Sequence, residues 1–305
     1  METRKHINKG TKTSTFGTSA RINHDSSSFY NSNLYQKEAI KSITDVKEID
    51  FPKTYENKII LGSSENMKEI PDSCVHLMIT SPPYNVTKEY DNNLTLDEYL
   101  SLLFKCFSET YRVLVNGGRA CINIANVGRK PYIPFSDYIS KMMIDIGFYM
   151  RGEVIWYKGS SAGVSMAWGS WISASNPILR DVHEYILVFS KGSYKRTSEG
   201  KESTITKEDF MEWTKSIWFM NTISAKKVGH PAPFPEELPR RLIHLYSFKN
   251  DIVLDPFIGS GTTAIAALKT GRRYIGYDNN PDYVALANKR LKKIKEQKVF
   301  NFIST

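Results

Sequence analysis

Cysteine is scarce in this chain of 305 residues, and long apolar runs are missing. The three cysteines, Cys74, Cys106 and Cys121, form no Cys-x-x-Cys pair, which argues against a disulfide framework or a zinc site. No stretch of about 18 apolar residues could span a bilayer, and the N-terminus lacks the apolar core of a signal peptide. We therefore expect a soluble, cytoplasmic protein without a metal site or a membrane segment.

Acidic residues are outnumbered by basic ones, 32 against 41, which gives a formal net charge of +9. This excess attracts a polyanion such as nucleic acid without proving that one binds. The hydrophobic fraction of 41% is typical of a globular protein. The length suits one large α/β domain with an insertion, or two small domains.

Two segments of the chain are strongly polar: the N-terminal one has little apolar periodicity, and the C-terminal one has a strong positive charge. Residues 1–33 are rich in Ser, Thr, Asn and Lys, so they bury too little apolar surface to offset the entropy of ordering. We predict a mobile polar tail there. Near the C-terminus, NKRLKKIKEQK is basic along one predicted helix, which indicates either a solvated helix face or contact with a nucleic acid backbone.

Predicted strands and helices alternate along the rest of the chain. Strands are predicted at 58–61, 75–81, 119–125, 153–158, 183–191, 251–257 and 272–278, the third of them preceded by a turn at Gly117 and Gly118. Helices are predicted from about 95, and at 135–146, 236–247, 262–270 and 282–295. Such alternation predicts an α/β fold, with a mostly parallel sheet and helices on both faces.

The segment ITSPPYNV, residues 79–86, places two prolines and a tyrosine at the end of an apolar run. Pro82 cannot continue a strand because it has no N–H to donate, and the next proline biases Pro82 towards an extended conformation. Ser81, the Pro82 carbonyl and the Tyr84 ring would therefore be held in fixed relative positions. This suits a clamp for a flat ligand, although a rigid loop with a packing tyrosine is the alternative.

A second motif, IVLDPFIGSGTTAIAALKTGRRYIGYD, runs from a strand through a glycine turn and a helix to another strand. Gly259 and Gly261 allow close approach of a ligand to the N–H groups at the helix N-terminus. Asp278 ends the second strand, where an acid accepts hydrogen bonds from ribose hydroxyls. With Ala264 the spacing also meets the relaxed dinucleotide pattern, so NAD, FAD and an adenosyl cofactor all remain open, as does a turn used only for packing.

Together, ITSPPYNV and LDPFIGSGTT resemble the amino-directed DNA methyltransferases that use S-adenosylmethionine. In that family the S/D/N-P-P-Y/F segment is catalytic, and D-P-F-x-G-S-G-T holds the methionine part of the cofactor. The resemblance covers about residues 55–295 and implies a Rossmann-like methyltransferase fold. Because the catalytic motif comes first, the motif order is the circularly permuted order of the β class.

The resemblance also implies which residues form the site. The catalytic residues are Ser81, Pro82, Pro83 and Tyr84. The cofactor-binding residues are Asp255, Pro256, Phe257, Gly259, Ser260, Gly261, Thr262 and Asp278. Two positions depart from the family pattern, since Ser63 and His76 stand where acids are common.

The chemistry of amino methylation accounts for the proline clamp. An exocyclic amino nitrogen is a poor nucleophile because its lone pair is delocalised, and acceptors for its two N–H groups would favour the reactive form. Ser81 Oγ and the Pro82 carbonyl are suitable acceptors, so positioning should contribute much of the acceleration. The base would be flipped out of the duplex against Tyr84. Methylation at cytosine C5 is disfavoured because no cysteine follows a proline.

Within the family, Ser at the first motif position accompanies mostly cytosine N4 transfer, and Asp or Asn mostly adenine N6. We therefore predict N4-cytosine methylation of double-stranded DNA, with N6-adenine methylation as the alternative. An RNA or protein amide methyltransferase, a nicotinamide or flavin oxidoreductase and an inactive DNA-binding regulator are more distant alternatives. A restriction–modification system with a cognate endonuclease, and a monomer or homodimer, are expected.

The order of the motifs also divides the chain. The predicted segments are a tail at 1–33, a catalytic half at 34–157, a target-recognition region at 158–229 and a cofactor half at 230–305. All five tryptophans lie between residues 156 and 218, among basic residues that suit contacts to DNA. The alternative is that these tryptophans belong to a core, and the strand at 183–191 is expected to join the main sheet.

Overall fold

The computed structural model describes residues 32–35, 47–84, 94–161, 168–223 and 234–303. The chain forms two compact units, residues 1–42 and 43–305. In the first unit the described residues make one turn, in which the Tyr35 N–H donates to the Ser32 carbonyl at 3.0 Å. The predicted mobile tail at 1–33 lies almost entirely outside the described residues.

The second unit contains all the named strands and helices. The strands are β1 Lys58–Leu61, β2 Val75–Thr80, β3 Leu114–Ile124, β4 Val127–Gly128, β5 Tyr132–Ile133, β6 Phe148–Tyr157, β7 His183–Lys191, β8 Ile217–Phe219, β9 Ile252–Asp255 and β10 Arg273–Asp278. The α-helices are α1 Leu96–Val113, α2 Phe135–Ile146, α3 Lys207–Trp213, α4 Glu237–Tyr246, α5 Thr262–Lys269 and α6 Pro281–Ile303.

Eight strands form one sheet in the order β1-β10-β9-β2-β3-β7-β6-β8. Seven of them run in the same direction, and β7 alone is antiparallel, between β3 and β6. The short strands β4 and β5 pair separately. The mostly parallel sheet predicted from the sequence is confirmed.

Helices cover both faces of this sheet. Consecutive side chains of a strand point to opposite faces, so Met78 of β2 lies in one core cluster and Leu77 in the other. The cluster with Met78 includes residues of α1 and α2, whereas the cluster with Leu77 includes residues of α4, α5 and α6. Each face thus buries its own apolar core, as predicted.

The order of the strands reverses between β2 and β9. From β9 the chain passes through α5 to β10 on one side, and from β2 it passes through α1 to β3 on the other. Leu77 and Met78 pair with Val253 and Leu254, so the carboxyl ends of the two strands lie side by side. Ligands of open α/β sheets bind in the crevice at such a switch point. Both sequence motifs therefore begin at the expected ligand crevice.

Local signals set the ends of two predicted helices. Thr95 caps α1, since its Oγ1 accepts the Glu98 N–H at 3.3 Å while the Glu98 carboxylate accepts the Thr95 N–H at 2.8 Å. Gly147 ends α2 in the left-handed conformation, with φ of 114°. Both predicted boundaries are confirmed.

The predicted turn at Gly117 and Gly118 is wrong, because both glycines lie inside β3. The pairing of β2 with β3 jumps between Val75 and Leu77, so the extra residues form an irregularity within the strand. Gly117 has φ of 74°, and a Cβ there would collide with the Lys195 carbonyl. The elements β4, β5, α3 and β8 were not predicted, and α6 extends beyond the predicted helix.

Candidate active site

One buried carboxylate joins the two motifs. Asp255 ends β9 and is only 1% exposed. Its Oδ1 accepts a hydrogen bond from Thr80 Oγ1, at the end of β2, at 2.7 Å and another from the Phe257 N–H at 3.1 Å. Its Oδ2 accepts from Thr263 Oγ1 of α5 at 2.6 Å. The carboxylate therefore fixes the catalytic segment, the glycine turn and the start of α5 relative to one another.

The environment of this carboxylate also sets its ionisation. Burial raises the pKa of Asp255 to about 6, while the hydroxyls of Thr263 and Thr80 and the Phe257 N–H hold it down. At neutral pH the group is charged, so it depends on all three donors for its stability. Replacing any one of them leaves a buried charge with fewer partners.

The glycine turn after β9 has a conformation that excludes larger residues. Gly259 and Gly261 have φ values of 49° and 82°, in the left-handed region. A Cβ on Gly261 would lie 2.8 Å from the Cβ of Ala287 on α6. The backbone thus packs directly against α6, and the turn leads into the N-terminus of α5, whose first N–H groups suit a polar ligand.

Asp278 lies beside this turn, at the end of β10. Its Oδ2 accepts the Gly259 N–H and its Oδ1 accepts the Asn280 N–H, each at 2.9 Å. Burial raises the pKa of this half-buried carboxyl, and the Asn280 and Gly259 N–H groups oppose the rise. Because a carboxylate has about four acceptor positions, it retains capacity for two adjacent hydroxyls. The Gly62 N–H, just after β1, donates to the Asp278 carbonyl at 2.9 Å.

The other predicted cofactor residues belong to the same turn. Pro256 and Ser260 are buried, Phe257 is half-buried against the core, and Thr262 is the first residue of α5. The structure therefore brings Asp255, the whole glycine turn and Asp278 to one edge of the sheet.

Arg290 of α6 supports the turn and was not predicted as a site residue. Its Nη1 donates to the Ser260 carbonyl at 2.5 Å and to Thr262 Oγ1 at 3.3 Å. Burial lowers the pKa of Arg290, with the Glu236 charge acting in the opposite direction. The basic stretch of this helix, predicted as a solvated face or a DNA contact, thus includes one residue that holds the glycine turn.

The predicted catalytic residues Ser81, Pro82, Pro83 and Tyr84 follow β2 directly. Pro82 is buried and the other three are half-buried. Tyr84 Oη donates to Glu184 Oε2 at 3.3 Å. Burial raises the pKa of the Tyr84 phenol well above its ordinary value, the Glu184 charge adds to this, and a hydrogen bond with Ser81 opposes it. Tyr84 is therefore neutral, and its hydroxyl is held in place by the hydrogen bond to Glu184.

Glu184, at the start of β7, gathers donors from three parts of the fold. Besides Tyr84, its carboxylate accepts from Asn123 Nδ2 of β3 and from Lys158 Nζ, just after β6, each at 2.5 Å. The side chains of Lys158 and Glu184 are mostly shielded from water, which strengthens their ion pair. The sequence prediction missed these residues. Their one signal in the sequence is that each is a polar side chain near one end of an apolar strand.

The two positions that depart from the family pattern, His76 and Ser63, make contacts of their own. His76 lies at the amino end of β2, where its Nδ1 accepts the Ile252 N–H at 2.9 Å and its Nε2 faces Glu48 and Asp251 at 3.7 and 3.6 Å. Ser63 follows β1 and donates to Glu65 Oε2 at 3.0 Å. Asn85 and Val86 of the catalytic segment, and the loop around His230, lie outside the described residues.

Neither a metal-binding cluster nor a membrane-spanning helix is present in the described ranges. Within residues 32–35, 47–84, 94–161, 168–223 and 234–303, no group of three or more His, Cys, Asp or Glu side chains could hold a metal ion. In the same part of the chain, no helix is long and apolar enough to cross a membrane.

A family model described as DNA methylase, of the N6/N4 type, matches residues 75–289. The chain belongs to this DNA methylase family. Type II methyltransferase M.MjaI of Methanocaldococcus jannaschii is 34% identical over an alignment 290 positions long, and this alignment covers 81% of this chain and 92% of that relative. Type II methyltransferase M.MthZI of Methanothermobacter thermautotrophicus is 31% identical over an alignment 271 positions long, and this alignment covers 77% of this chain and 76% of that relative.

Solved structures of DNA methylases have the same fold. TTHA0409 of Thermus thermophilus, assigned as a DNA modification methylase and complexed with S-adenosyl-L-methionine, is 30% identical with a TM-score of 0.64, covering 78% of this chain and 94% of its own. The cytosine-N4-specific PvuII methyltransferase has a TM-score of 0.61 over 78% of this chain and 89% of its own, and at 20% identity it shows the fold alone.

Membership of the DNA methylase family confirms the resemblance drawn from the two motifs. The predicted S-adenosylmethionine-dependent fold is confirmed as well. The cofactor of the family is S-adenosylmethionine, which decides against the nicotinamide and flavin alternatives for the glycine turn. The acceptors of Asp278 and the N–H groups of the first turn of α5 suit an adenosyl ligand with a charged methionine end.

Proposed function

We propose that this DNA methylase methylates the exocyclic N4 amino group of a flipped-out cytosine in double-stranded DNA. The proposal rests above all on the hydrogen bond of 2.7 Å between Thr80 and Asp255. It ties the segment that begins with Ser81 to the glycine turn of the cofactor motif. The catalytic motif and the cofactor motif are far apart in sequence, but this contact brings both to one crevice.

In this proposal the glycine-turn residues hold the cofactor. Bound S-adenosylmethionine supplies an electrophilic methyl group. Its methionine end would lie against the turn, and its ribose hydroxyls would bond to Asp278. The residues assigned to the turn are Asp255, Pro256, Phe257, Gly259, Ser260, Gly261 and Thr262.

The catalytic segment would prepare the amino nitrogen of the base. Ser81 Oγ and the Pro82 carbonyl accept its two N–H groups and favour the form with an available lone pair. The neutral Tyr84 ring, held by Glu184, offers an aromatic face to the flipped base. Since no covalent intermediate is required, alignment supplies much of the rate acceleration.

The choice of cytosine rests on Ser81, because a serine at this position accompanies mostly N4 transfer in the family. N6-adenine methylation is the alternative, since a hydroxyl acceptor does not exclude adenine. The net charge of +9 suits a polyanionic partner such as DNA. We further propose a restriction–modification role as a monomer or homodimer, with residues 34–157 catalytic, 158–229 for recognition and 230–305 for the cofactor.

The test is the identity of the methylated nucleoside. Purified protein is incubated with unmethylated genomic DNA and methyl-labelled S-adenosylmethionine, and the DNA is digested for mass spectrometry. Labelled N4-methylcytosine, absent with Ser81→Ala, supports the proposal. Labelled N6-methyladenine would show that the target base is adenine and not cytosine, with the proposed site residues unchanged. If S-adenosylmethionine binds but no deoxynucleoside is labelled, the proposed DNA substrate is wrong and RNA or protein amides would be tested next.

A further inference from the structure

A small hairpin rises between β6 and β7, formed by residues 168–178. Gly169 and Pro177 pair as an antiparallel bridge, and the Ile178 N–H donates to the Trp168 carbonyl at 3.0 Å. Nearer the tip, the Ser170 N–H donates to the Asn176 carbonyl at 2.9 Å. We call these residues the 168–178 hairpin. Its backbone bonds give the tip a defined position.

The tip of the 168–178 hairpin exposes large apolar side chains. Trp171 is 66% exposed and Ile172 is 87% exposed, and Leu179 at the base is 85% exposed. By contrast, the other tryptophans of this part of the chain include three that are buried, namely Trp156, Trp213 and Trp218. For those three the core interpretation is the correct one. Exposed apolar groups clustered in this way mark a surface that meets a partner.

The backbone at the tip is strained. Ile172 has φ of 50°, and a β-branched residue in the left-handed region is a steric outlier. Such strain costs on the order of 1–3 kcal/mol and persists where the surroundings impose it, which is frequent at binding sites. The side chain that this strained backbone carries is 87% exposed, so it makes no contribution to the core.

Aromatic and ionic contacts hold the base of the hairpin. The rings of Trp168 and Trp171 meet edge to face with centroids 5.1 Å apart. The Arg180 guanidinium lies 3.8 Å from the Trp168 ring centroid, and Asp181 pairs with Arg129 at 2.8 Å. Within the described part of the chain, no carboxylate pairs with Arg180. The hairpin is thus preorganised and presents a cation next to its apolar tip.

The hairpin stands at the catalytic edge of the sheet. It follows Lys158 and precedes Glu184, and both of these side chains belong to the cluster behind Tyr84. Tyr157 of β6 pairs with His183 of β7, so the two ends of the connection leave the sheet together. A duplex presenting its base to Tyr84 would therefore lie over this edge.

We propose that Trp171 and Ile172 insert into the base stack next to the target nucleotide and fill the space that the extruded base leaves. The inference rests on the proposed function, since it takes double-stranded DNA as the partner. Apolar wedges between base steps compensate for lost stacking, and an aromatic ring stacks on any base. Arg180 contacts a neighbouring phosphate, which suits a guanidinium that pairs with no carboxylate of the described residues.

The test compares two duplexes that carry the methylated site, which is first mapped by sequencing DNA modified by the wild type. In one duplex the target base is paired, and in the other it faces an abasic position, which lowers the energy of extrusion. Trp171→Ala and Ile172→Ala are compared with Phe104→Ala, which removes an aromatic side chain 48% exposed on α1. Methylation rates are measured at limiting duplex concentration.

On the paired duplex, kcat/KM of Trp171→Ala should fall by about tenfold or more, as expected for a lost base–aromatic stack. On the abasic duplex the loss should shrink to within about threefold, because extrusion no longer needs the wedge. Ile172→Ala should follow the same pattern and Phe104→Ala should match the wild type on both. Duplex should also quench tryptophan fluorescence of the wild type more than that of Trp171→Ala.

Other outcomes separate the two proposals. If both tip variants methylate the paired duplex at the wild-type rate, or are equally impaired on both duplexes, the insertion is wrong and the proposed function stands. If the wild type itself methylates no DNA, the proposed function fails before the hairpin is tested.

Discussion

Replacing Asp255 by Asn tests the carboxylate that joins the two motifs. The side chains have the same shape, but Asn carries no charge and turns one acceptor into a donor. Asp255 now accepts from Thr80 at 2.7 Å and from Thr263 at 2.6 Å. An amide cannot accept at both places, so one threonine hydroxyl can no longer donate to this side chain. The variant is expected to keep its fold and to loosen the connection between the catalytic segment and α5.

The size of the effect on stability follows from the pKa of Asp255, which burial raises from 3.8 to about 6. For an acid with a raised folded pKa, the stabilisation is fully present below about 3.8 and is lost as pH rises through about 6. At about 1.4 kcal/mol per pH unit, this corresponds to roughly 3 kcal/mol. Relative to Asp255→Asn, the wild type should therefore lose about 3 kcal/mol of unfolding free energy between about pH 4 and pH 7.

The assay is urea unfolding of both proteins at closely spaced pH values. Subtracting the curves cancels the other titrating groups and leaves the contribution of Asp255. Methyl transfer by the variant at neutral pH should fall by about tenfold or more, since a hydrogen bond to a charged group contributes roughly 1.5–3 kcal/mol. If the two stability curves stay parallel from pH 4 to pH 7, the carboxylate is not buried and charged as described.

Three further substitutions test other contacts. Glu184→Gln should lower kcat by about tenfold with little change in KM. Combined with Tyr84→Phe, the decrease in kcat should be smaller than the product of the two single decreases, because both substitutions break the same hydrogen bond between Tyr84 and Glu184. Gly261→Ala should lower the unfolding free energy by roughly 2 kcal/mol, and with it the melting temperature, because Gly261 has φ of 82°, which alanine adopts only with strain. The same variant should have a higher KM for S-adenosylmethionine. His76, whose Nε2 lies 3.7 Å from the carboxylate, and the Lys201 and Arg196 cations lower the pKa of Glu48 to about 2. The stability that this contributes is present above about pH 4.5 and is lost as pH falls towards 2, and Glu48→Gln should remove about 1 kcal/mol of this pH dependence.

Each of these expectations has a contrary result. Steady-state kinetics showing independent effects of the Glu184 and Tyr84 substitutions would mean that Glu184 does not act through Tyr84. A Gly261→Ala protein with unchanged melting temperature and cofactor KM would contradict the close packing of the turn on α6. Acid unfolding curves that do not differ between the wild type and Glu48→Gln would remove Glu48 from the account of acid stability.

The sequence was sufficient for most of the fold because its signals were local. The α1 cap at Thr95, the α2 stop at Gly147 and the strand at His183–Lys191 are each specified by a few neighbouring residues. The glycines of β3 misled the prediction, since two adjacent glycines favour a turn. Their actual role, close approach to the Lys195 backbone, depends on a segment far along the chain.

The candidate site shows the same division between local and distant contacts. Both motifs could be found in sequence because their prolines and glycines constrain their own backbone. The contact of Thr80 with Asp255 joins residues 175 positions apart, and only the pairing of β2 with β9 creates it. Glu184 likewise acquires its role from partners on other strands. Alternation of apolar residues identifies such a strand, but it does not identify the strands beside it.

The most direct test of the central claim is single-turnover transfer of labelled methyl groups to DNA, with S-adenosylmethionine binding measured by calorimetry on the same proteins. The account predicts that Ser81→Ala binds S-adenosylmethionine like the wild type but transfers no label, whereas Asp278→Ala loses binding. Transfer by Ser81→Ala at the wild-type rate, or wild-type binding by Asp278→Ala, would contradict a single site built from the two motifs.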